Sequence, residues 1–314
     1  MKRLSIPLLI FLMLVSGCSN AASTNSEKTS AGSKKLHIVT TFYPMYYFAK
    51  KVAGSSANVE LLIPNGVEPH DWEPTAQDMA KIQDSDLFIY NSRYFETWTE
   101  KVLKSINDSN LNVVEASNGI KLMNALDSEE DDGHHSEHAA SKDPHVWLSP
   151  VLAQREVDNI AKALEQADPK NKDQFQKNAA SLNLQLADLD REYKETMDKA
   201  KNKEFVTQHA AFGYLAKQYG LTQIPIAGLS PDVEPTLGKL AELTDLTKKK
   251  NVKIIYFEQL TSSKVAETLA KEIGAKTEVL NPLEGLTKEE QKQGLDYVDV
   301  MRKNLGSLKL ALLD

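Results

Sequence analysis

The sequence predicts an α/β protein of two parallel-sheet lobes joined by a long, rigid helical backbone. Two observations carry that expectation. Short β-branched runs alternate with helical patterns in each half of the chain, the rhythm of parallel βα units. Between the halves, residues 150–200 carry an uninterrupted helical pattern apart from a break at Asp168-Pro169.

In the first half, strands are expected at 36–42, 59–64, 86–91 and 112–116. Helices are expected at 75–83 and 95–106, and Pro44 sits where a first helix would start, a position Pro tolerates. The second half repeats the pattern with strands at 204–209, 224–228, 252–258 and 277–281. Its helices are expected at 211–219, 235–250 and 262–273, and a last one starts at Thr287 with Glu290 closing a capping box. In the connecting stretch, Phe175, Ala179, Leu182, Leu186, Leu189, Tyr193 and Met197 recur at 3–4 spacing. That spacing predicts a long amphipathic helix packed across both lobes. A short coiled-coil surface is the alternative, but it would require a partner.

Bulk properties narrow the function classes. A chain of 314 residues suits one large or two medium domains. Its 41% hydrophobic and 26% charged content are those of an ordinary globular protein. A net charge of -7 leaves no basic stripe for phosphates, so nucleic acid is excluded as a partner. No P-loop, G-x-G-x-x-G or G-x-S-x-G motif occurs.

The N-terminus reads as a processing signal. Lys2 and Arg3 precede an apolar run, 4–15, too short to span a bilayer comfortably. Val15-Ser16-Gly17-Cys18 follows and resembles the lipobox of bacterial lipoproteins. The expected organisation is a signal peptide at 1–17, then lipidated Cys18 and a flexible tether at 18–34. An N-terminal lobe covers 35–149, a connecting helical segment 150–201 and a C-terminal lobe 202–314. Cys18 is the chain's only Cys, so it forms no intrachain disulfide, and any metal site must use His, carboxylate or water. Lipid on Cys18 would hold the protein on the outer face of the cell membrane.

Chemistry concentrates at three histidines. His70 lies in V-E-P-H-D-W-E-P, His145 in D-P-H-V-W-L-S-P and His209 in F-V-T-Q-H-A-A-F-G-Y. Imidazoles on separate segments that converge suit a borderline-soft metal such as zinc. A lone His is more often a packed or surface residue, but three such settings reverse that expectation. His70 follows an expected strand and a turn in one lobe, and His209 ends an expected strand in the other. Ligands of parallel α/β sheets bind beyond the strand carboxyl ends, so the site belongs in the cleft between lobes. A fourth ligand would close a tetrahedron. Glu284 and Glu258 both follow strands and compete for that place. Glu68, Asp71 and Asp143 are further candidates, though acids beside a ligand more often orient its ring.

Residues 126–143 form an acidic, low-complexity loop containing His134, His135 and His138, expected to recruit metal weakly. His134 to His138 also matches H-x-x-E-H, but that peptidase pattern needs a helix, and Gly133 with the preceding acid run argues against one. His37 lies inside a strand and reads as structural. Trp72, Trp98 and Trp147 read either as core or as packing near the site, with Trp72 and Trp147 each two residues beyond a candidate His.

In these segments, and in T-T-F-Y-P-M-Y, G-L-S-P-D-V-E-P and V-L-N-P-L-E-G-L, the chain resembles the zinc-binding lipoproteins of bacterial ABC importers. These are the ZnuA type of the cluster A-I metal-binding family. The resemblance runs from about Lys35 onward. It implies two lobes on a rigid backbone helix, Zn(II) between them, and His70, His145 and His209 as ligands with Glu284 as the fourth. It also implies a receptor that is not an enzyme and that delivers zinc to an ABC permease and its ATPase subunit. The chain is expected to act as a monomer. Manganese-binding relatives carry a carboxylate where this chain has His209, and imidazole there favours zinc. A zinc-dependent hydrolase and a surface adhesin are the alternative readings.

Overall fold

The structure is a computed structural model that describes residues 35–106, 111–125 and 142–313. Cys18 and the loop histidines His134, His135 and His138 lie outside the described residues.

All eight expected strands form. The first lobe holds β1 (Leu36–Thr40), β2 (Ala57–Leu61), β3 (Leu87–Tyr90) and β4 (Asn112–Glu115). Between them run α1 (Tyr43–Ala53), α2 (Ala76–Gln83) and α3 (Thr99–Ser105). The connecting segment is α4 (Pro150–Ala167) and α5 (Lys172–Met197). The second lobe holds β5 (Glu204–Thr207), β6 (Thr222–Pro225), β7 (Ile254–Phe257) and β8 (Lys276–Val279). Its helices are α6 (Gly213–Gln218), α7 (Leu237–Lys249), α8 (Lys264–Ile273), α9 (Lys288–Lys292) and α10 (Tyr297–Leu312). Both sheets are fully parallel and share one strand permutation, β2-β1-β3-β4 and β6-β5-β7-β8. Among the described residues, no helix is long and apolar enough to cross a membrane.

The connecting segment is a helical hairpin. Gln176 donates to Glu165 at 3.0 Å and Asn183 to Asp158 at 2.8 Å, the antiparallel pairing of two helices that turn at Pro169–Asn171. All seven residues of the predicted α5 stripe are buried, and Leu184 on the opposite face is exposed. Burial of each Leu in that stripe contributes roughly 2 kcal/mol. The stripe is covered within the chain itself. Asn178 donates to the Val52 carbonyl at the end of α1, and the Tyr193 hydroxyl donates to Met301 O on α10. A Cβ at Gly54, where φ is +57°, would meet Asn178 at 3.0 Å, so glycine there seats α5 against α1.

One hydrophobic core runs from the first sheet through α1, α4 and α5 to α10. A smaller core of Val206, Ile226, Leu243, Ile255 and Leu269 lies between the second sheet, α7 and α8. Strand alternation separates the two: Phe205 and Tyr256 face the first, while their neighbours Val206 and Ile255 face the second.

Several boundaries differ from the sequence expectation. The helix expected at 95–106 begins only at Thr99. The Glu96 carboxylate accepts from Asn91 N, Ser92 N and Thr41 Oγ1, which fixes a tight turn before the helix. The last helix is two. Thr287 and Glu290 do close a capping box, but Gly294 adopts φ +68° and Asp296 opens a second box for α10. The expected loop 126–143 ends earlier, because Lys142 bridges to Asn124 and Asp143 N donates to Met123 O.

Glu156 on α4 is fully buried, and neither carboxyl oxygen has a hydrogen-bond partner among the described residues. Burial, with the nearby Glu96, raises its pKa well above the carboxylate range. The folded carboxyl therefore holds its proton more tightly than the unfolded one. Its stabilising contribution is complete below about pH 4.3 and is lost as pH rises toward the folded value. Glu156→Met should flatten the fall in urea-unfolding free energy between about pH 5 and 8, and raise it by about 1–3 kcal/mol at the upper end. A slope identical to the native chain's would assign the effect elsewhere.

Candidate metal centre

Four side chains from distant segments meet between the two sheets. His70 follows β2, His145 opens a short turn of helix ahead of α4, His209 follows β5 and Glu284 follows β8. One donor atom from each lies within 4.8 Å of the others. Glu284 Oε1 stands 3.2 Å from His70 Nε2 and 3.5 Å from the Nε2 atoms of His145 and His209. His145, His209 and Glu284 are buried, and His70 retains slight exposure.

Each imidazole is aimed by its surroundings. Asp143 Oδ1 accepts from His145 Nδ1 at 2.8 Å and from its backbone N–H at 3.0 Å. Glu258 accepts from His209 Nδ1 in a short contact. These bonds turn the Nε2 atoms of both rings toward the centre. The 3.5 Å separation from Glu284 is too long for a hydrogen bond, so both Nε2 atoms are buried without a partner among the described residues. Buried orphan nitrogens are costly unless something binds them. His70 is set by its backbone, whose N–H reaches both Glu68 oxygens at 3.1 Å, and Phe95 packs edge-on against its ring.

The charge balance follows. Burial opposes a proton on His209, but Glu258 and Glu284 outweigh it and push its pKa up to about 10. Burial likewise opposes a charge on His145, and Asp143 and Glu284 together more than compensate, raising its pKa. Burial should raise Glu284, yet the three imidazoles hold it well below the carboxylate range. Glu68 is pushed up to about 7 by burial, with Glu284 and Asp232 adding like charge.

Of the acids that compete in the sequence, the structure brings Glu284 to the centre. Glu258 and Asp143 stand behind histidine rings, Glu68 binds backbone and Asp71 is exposed. His37 stays on β1 against Glu60 at 3.3 Å. Trp147 is fully buried beside His145, and Trp72 packs on Trp98. Sequence reasoning misses several supports. Asn91 donates to Pro144 O ahead of His145, Gln223 donates to His209 O, and Tyr214 OH donates to Asp143 O. None of these carries a local signal, because each is a single amide or hydroxyl whose partner is remote in sequence.

A sequence profile described as "Zinc-uptake complex component A periplasmic" matches residues 38–311. The chain belongs to the ZnuA family. It is 56% identical over 305 residues to the high-affinity zinc uptake system protein ZnuA of Bacillus subtilis, covering 96% of this chain and 94% of that one. It is 49% identical over 313 residues to the zinc-binding lipoprotein AdcA of Streptococcus pneumoniae, covering 98% of this chain but 61% of the longer relative. The crystal structure of the Zn(II)-bound ZnuA-like domain of that AdcA superposes with a TM-score of 0.77 at 48% identity. The match covers 89% of this chain and 100% of that domain.

In this ZnuA-family chain, Gly213 of the second lobe presses on Asp143. A Cβ there would come 2.8 Å from Asp143 Oδ2 and 3.0 Å from Met123. Gly213→Ala is therefore expected to lower the thermal midpoint by displacing the Asp143 carboxylate. The same change made in an Asp143→Ala background should cost much less, and equal losses in both backgrounds would assign the strain to Met123.

Proposed function

We propose that this chain is an extracytoplasmic receptor that captures Zn(II) in the cleft between its lobes and delivers it to the permease of an ABC importer. The observation that carries this reading is the convergence of His70, His145, His209 and Glu284 within 4.8 Å, with two buried imidazole nitrogens otherwise unpartnered among the described residues. Three nitrogens and one carboxylate oxygen match the tetrahedral preference of zinc. Membership of a family named for zinc uptake supports the cargo and the receptor role over the hydrolase and adhesin alternatives.

Zinc is cargo in this scheme. Four protein ligands close its coordination shell and leave no position for an activated water, which argues for binding without catalysis. Asp143 and Glu258 orient the rings and hold the proton on Nδ1, so Nε2 faces the metal. The exit partner would be an ABC permease with its ATPase. Lipid on Cys18 would tether the protein, as a monomer, to the outer face of the membrane. Lobes at 35–149 and 202–314 would hold the metal between them, joined by the 150–201 hairpin. His134, His135 and His138 would gather metal and pass it inward.

The test is a competition titration of metal-stripped protein with zinc and then manganese against a chromophoric chelator. One tight zinc equivalent is expected, poorly matched by manganese. Changing His70, His145 or His209 to Ala should weaken it by at least about 100-fold, the loss of a direct ligand exceeding the 10–100-fold of an orienting partner. Deleting 127–142 should leave that equivalent in place. If the deletion alone abolishes binding, the inter-lobe site is wrong.

Proton linkage gives an independent check. Glu258 and Glu284 raise the pKa of His209 and so favour its proton in the metal-free protein, a proton that zinc would displace. Zinc affinity should therefore keep rising with pH above the ordinary His value of about 6.5. Calorimetry in buffers of different ionisation enthalpy should register at least one proton released. Affinity that levels off above about pH 7 would contradict this linkage.

A further inference from the structure

We propose that Asn304 on α10 is a positioning residue for the Glu284 arm of the zinc site, acting at a distance through Asn281. The inference rests on the reading of Glu284 as a ligand and adds a residue that touches none of the four metal-facing groups.

Glu284 sits on an unusual turn. Leu283, immediately before it, has φ +60°, a left-handed conformation that a branched, fully buried side chain rarely adopts. Such a turn persists only where its surroundings over-determine it, and the surroundings here are polar and buried. Asn281 Oδ1 accepts from Leu283 N at 2.7 Å and closes the turn from inside. Asn304 then pins Asn281 on both sides of its backbone. Its Oδ1 accepts from Asn281 N at 2.9 Å, and its Nδ2 donates to Asn281 O at 2.7 Å. A carboxamide donates and accepts at once, so one side chain takes the place of a neighbouring strand just past the end of β8. Glu290 completes the set by accepting from Asn281 Nδ2 at 2.9 Å while its other oxygen closes the Thr287 capping box. Asn304 is 2% exposed and Asn281 5%, so water does not compete for these bonds.

The same turn touches two of the three histidine-bearing segments of the cleft. Trp147 Nε1 donates to Pro282 O at 2.8 Å, two residues from His145. Leu286 N donates to Asn65 Oδ1 at 3.1 Å, and a Cβ on Gly285 would lie 3.5 Å from Gly66 N, in the loop leading to His70. Those contacts cross between lobes. Asn304 anchors the turn within its own lobe, on a helix braced by Arg302 to Glu192 and by Tyr193 to Met301. It therefore adds to those cross-lobe contacts a hold on the Glu284 turn that does not involve the histidine-bearing segments.

The test is a double-mutant cycle of zinc affinity with native, Asn304→Ala, Glu284→Ala and doubly substituted chains. Leu269→Ala in the second core serves as a control for lost stability. Asn304→Ala should weaken zinc about 10–100-fold, the range for a residue that orients a ligand. In the Glu284→Ala background it should weaken zinc no further, because there is no carboxylate left to position. The ligand-field spectrum of cobalt-loaded Asn304→Ala should move toward that of Glu284→Ala, while Leu269→Ala keeps the native spectrum. Asn304→Asp, which retains the acceptor and loses the donor, covers the case in which the alanine variant does not fold. Equal weakening in both backgrounds, or none in either, overturns the positioning role while leaving the ligand reading intact. Native affinity in Glu284→Ala would instead overturn the ligand reading and the positioning proposal with it.

Discussion

A single buried carboxylate facing three imidazoles is the constraint on which this molecule turns. Glu284 cannot be charged in the interior without compensation, and His70, His145 and His209 supply it from three other segments. The attraction is strong because the site is nearly dry. It also crosses the cleft, so the electrostatics that hold the ligand set also hold the lobes together. A divalent cation at the centre satisfies the carboxylate and the two orphan Nε2 atoms at once.

Around that centre a second layer of acids does different work from the first. Asp143 and Glu258 lie on the far sides of His145 and His209, where they accept hydrogen bonds from the Nδ1 groups. Had either carboxylate reached the centre, two like charges would share the cavity and one would be forced to keep a proton. The division into one central and two rear carboxylates lets the rings be aimed without overloading the site with negative charge. Glu68 follows the same logic at the rim, where it ties down the His70 backbone.

The scaffold answers the need for two surfaces that meet reproducibly. Two sheets of identical strand permutation present their strand carboxyl ends to one cleft. The hairpin of α4 and α5 and the final helix α10 pack into the core that continues from the first sheet, which makes the junction stiff rather than a free hinge. Leu283 and the Asn281–Asn304 pair then convert the position of α10 into the position of one carboxylate.

Much of this was legible in the sequence because it depends on local periodicity. Eight strands, the α5 stripe and the break at Asp168-Pro169 follow from side-chain alternation and from proline chemistry, which act over a few residues. The three histidines stood out by the same means, each in a distinctive short setting. Choosing the central carboxylate was another matter. Glu258 and Glu284 both follow strands, and residues alone left them in competition; the family resemblance pointed to Glu284, and the described geometry places that carboxylate at the centre. What separates them is which side of a histidine ring each occupies, a distance measured across the folded cleft. The turn fixed by Glu96, the split between α9 and α10, and the hold of Asn304 on Asn281 were equally hidden. Each depends on a few hydrogen bonds or one backbone torsion, and such isolated contacts leave no repeating pattern along the chain. Sequence alone determined which elements form and which side chains can bind metal; only the tertiary structure decided which of them meet, because meeting requires segments more than two hundred residues apart, such as His70 and Glu284, to be packed within 3.2 Å.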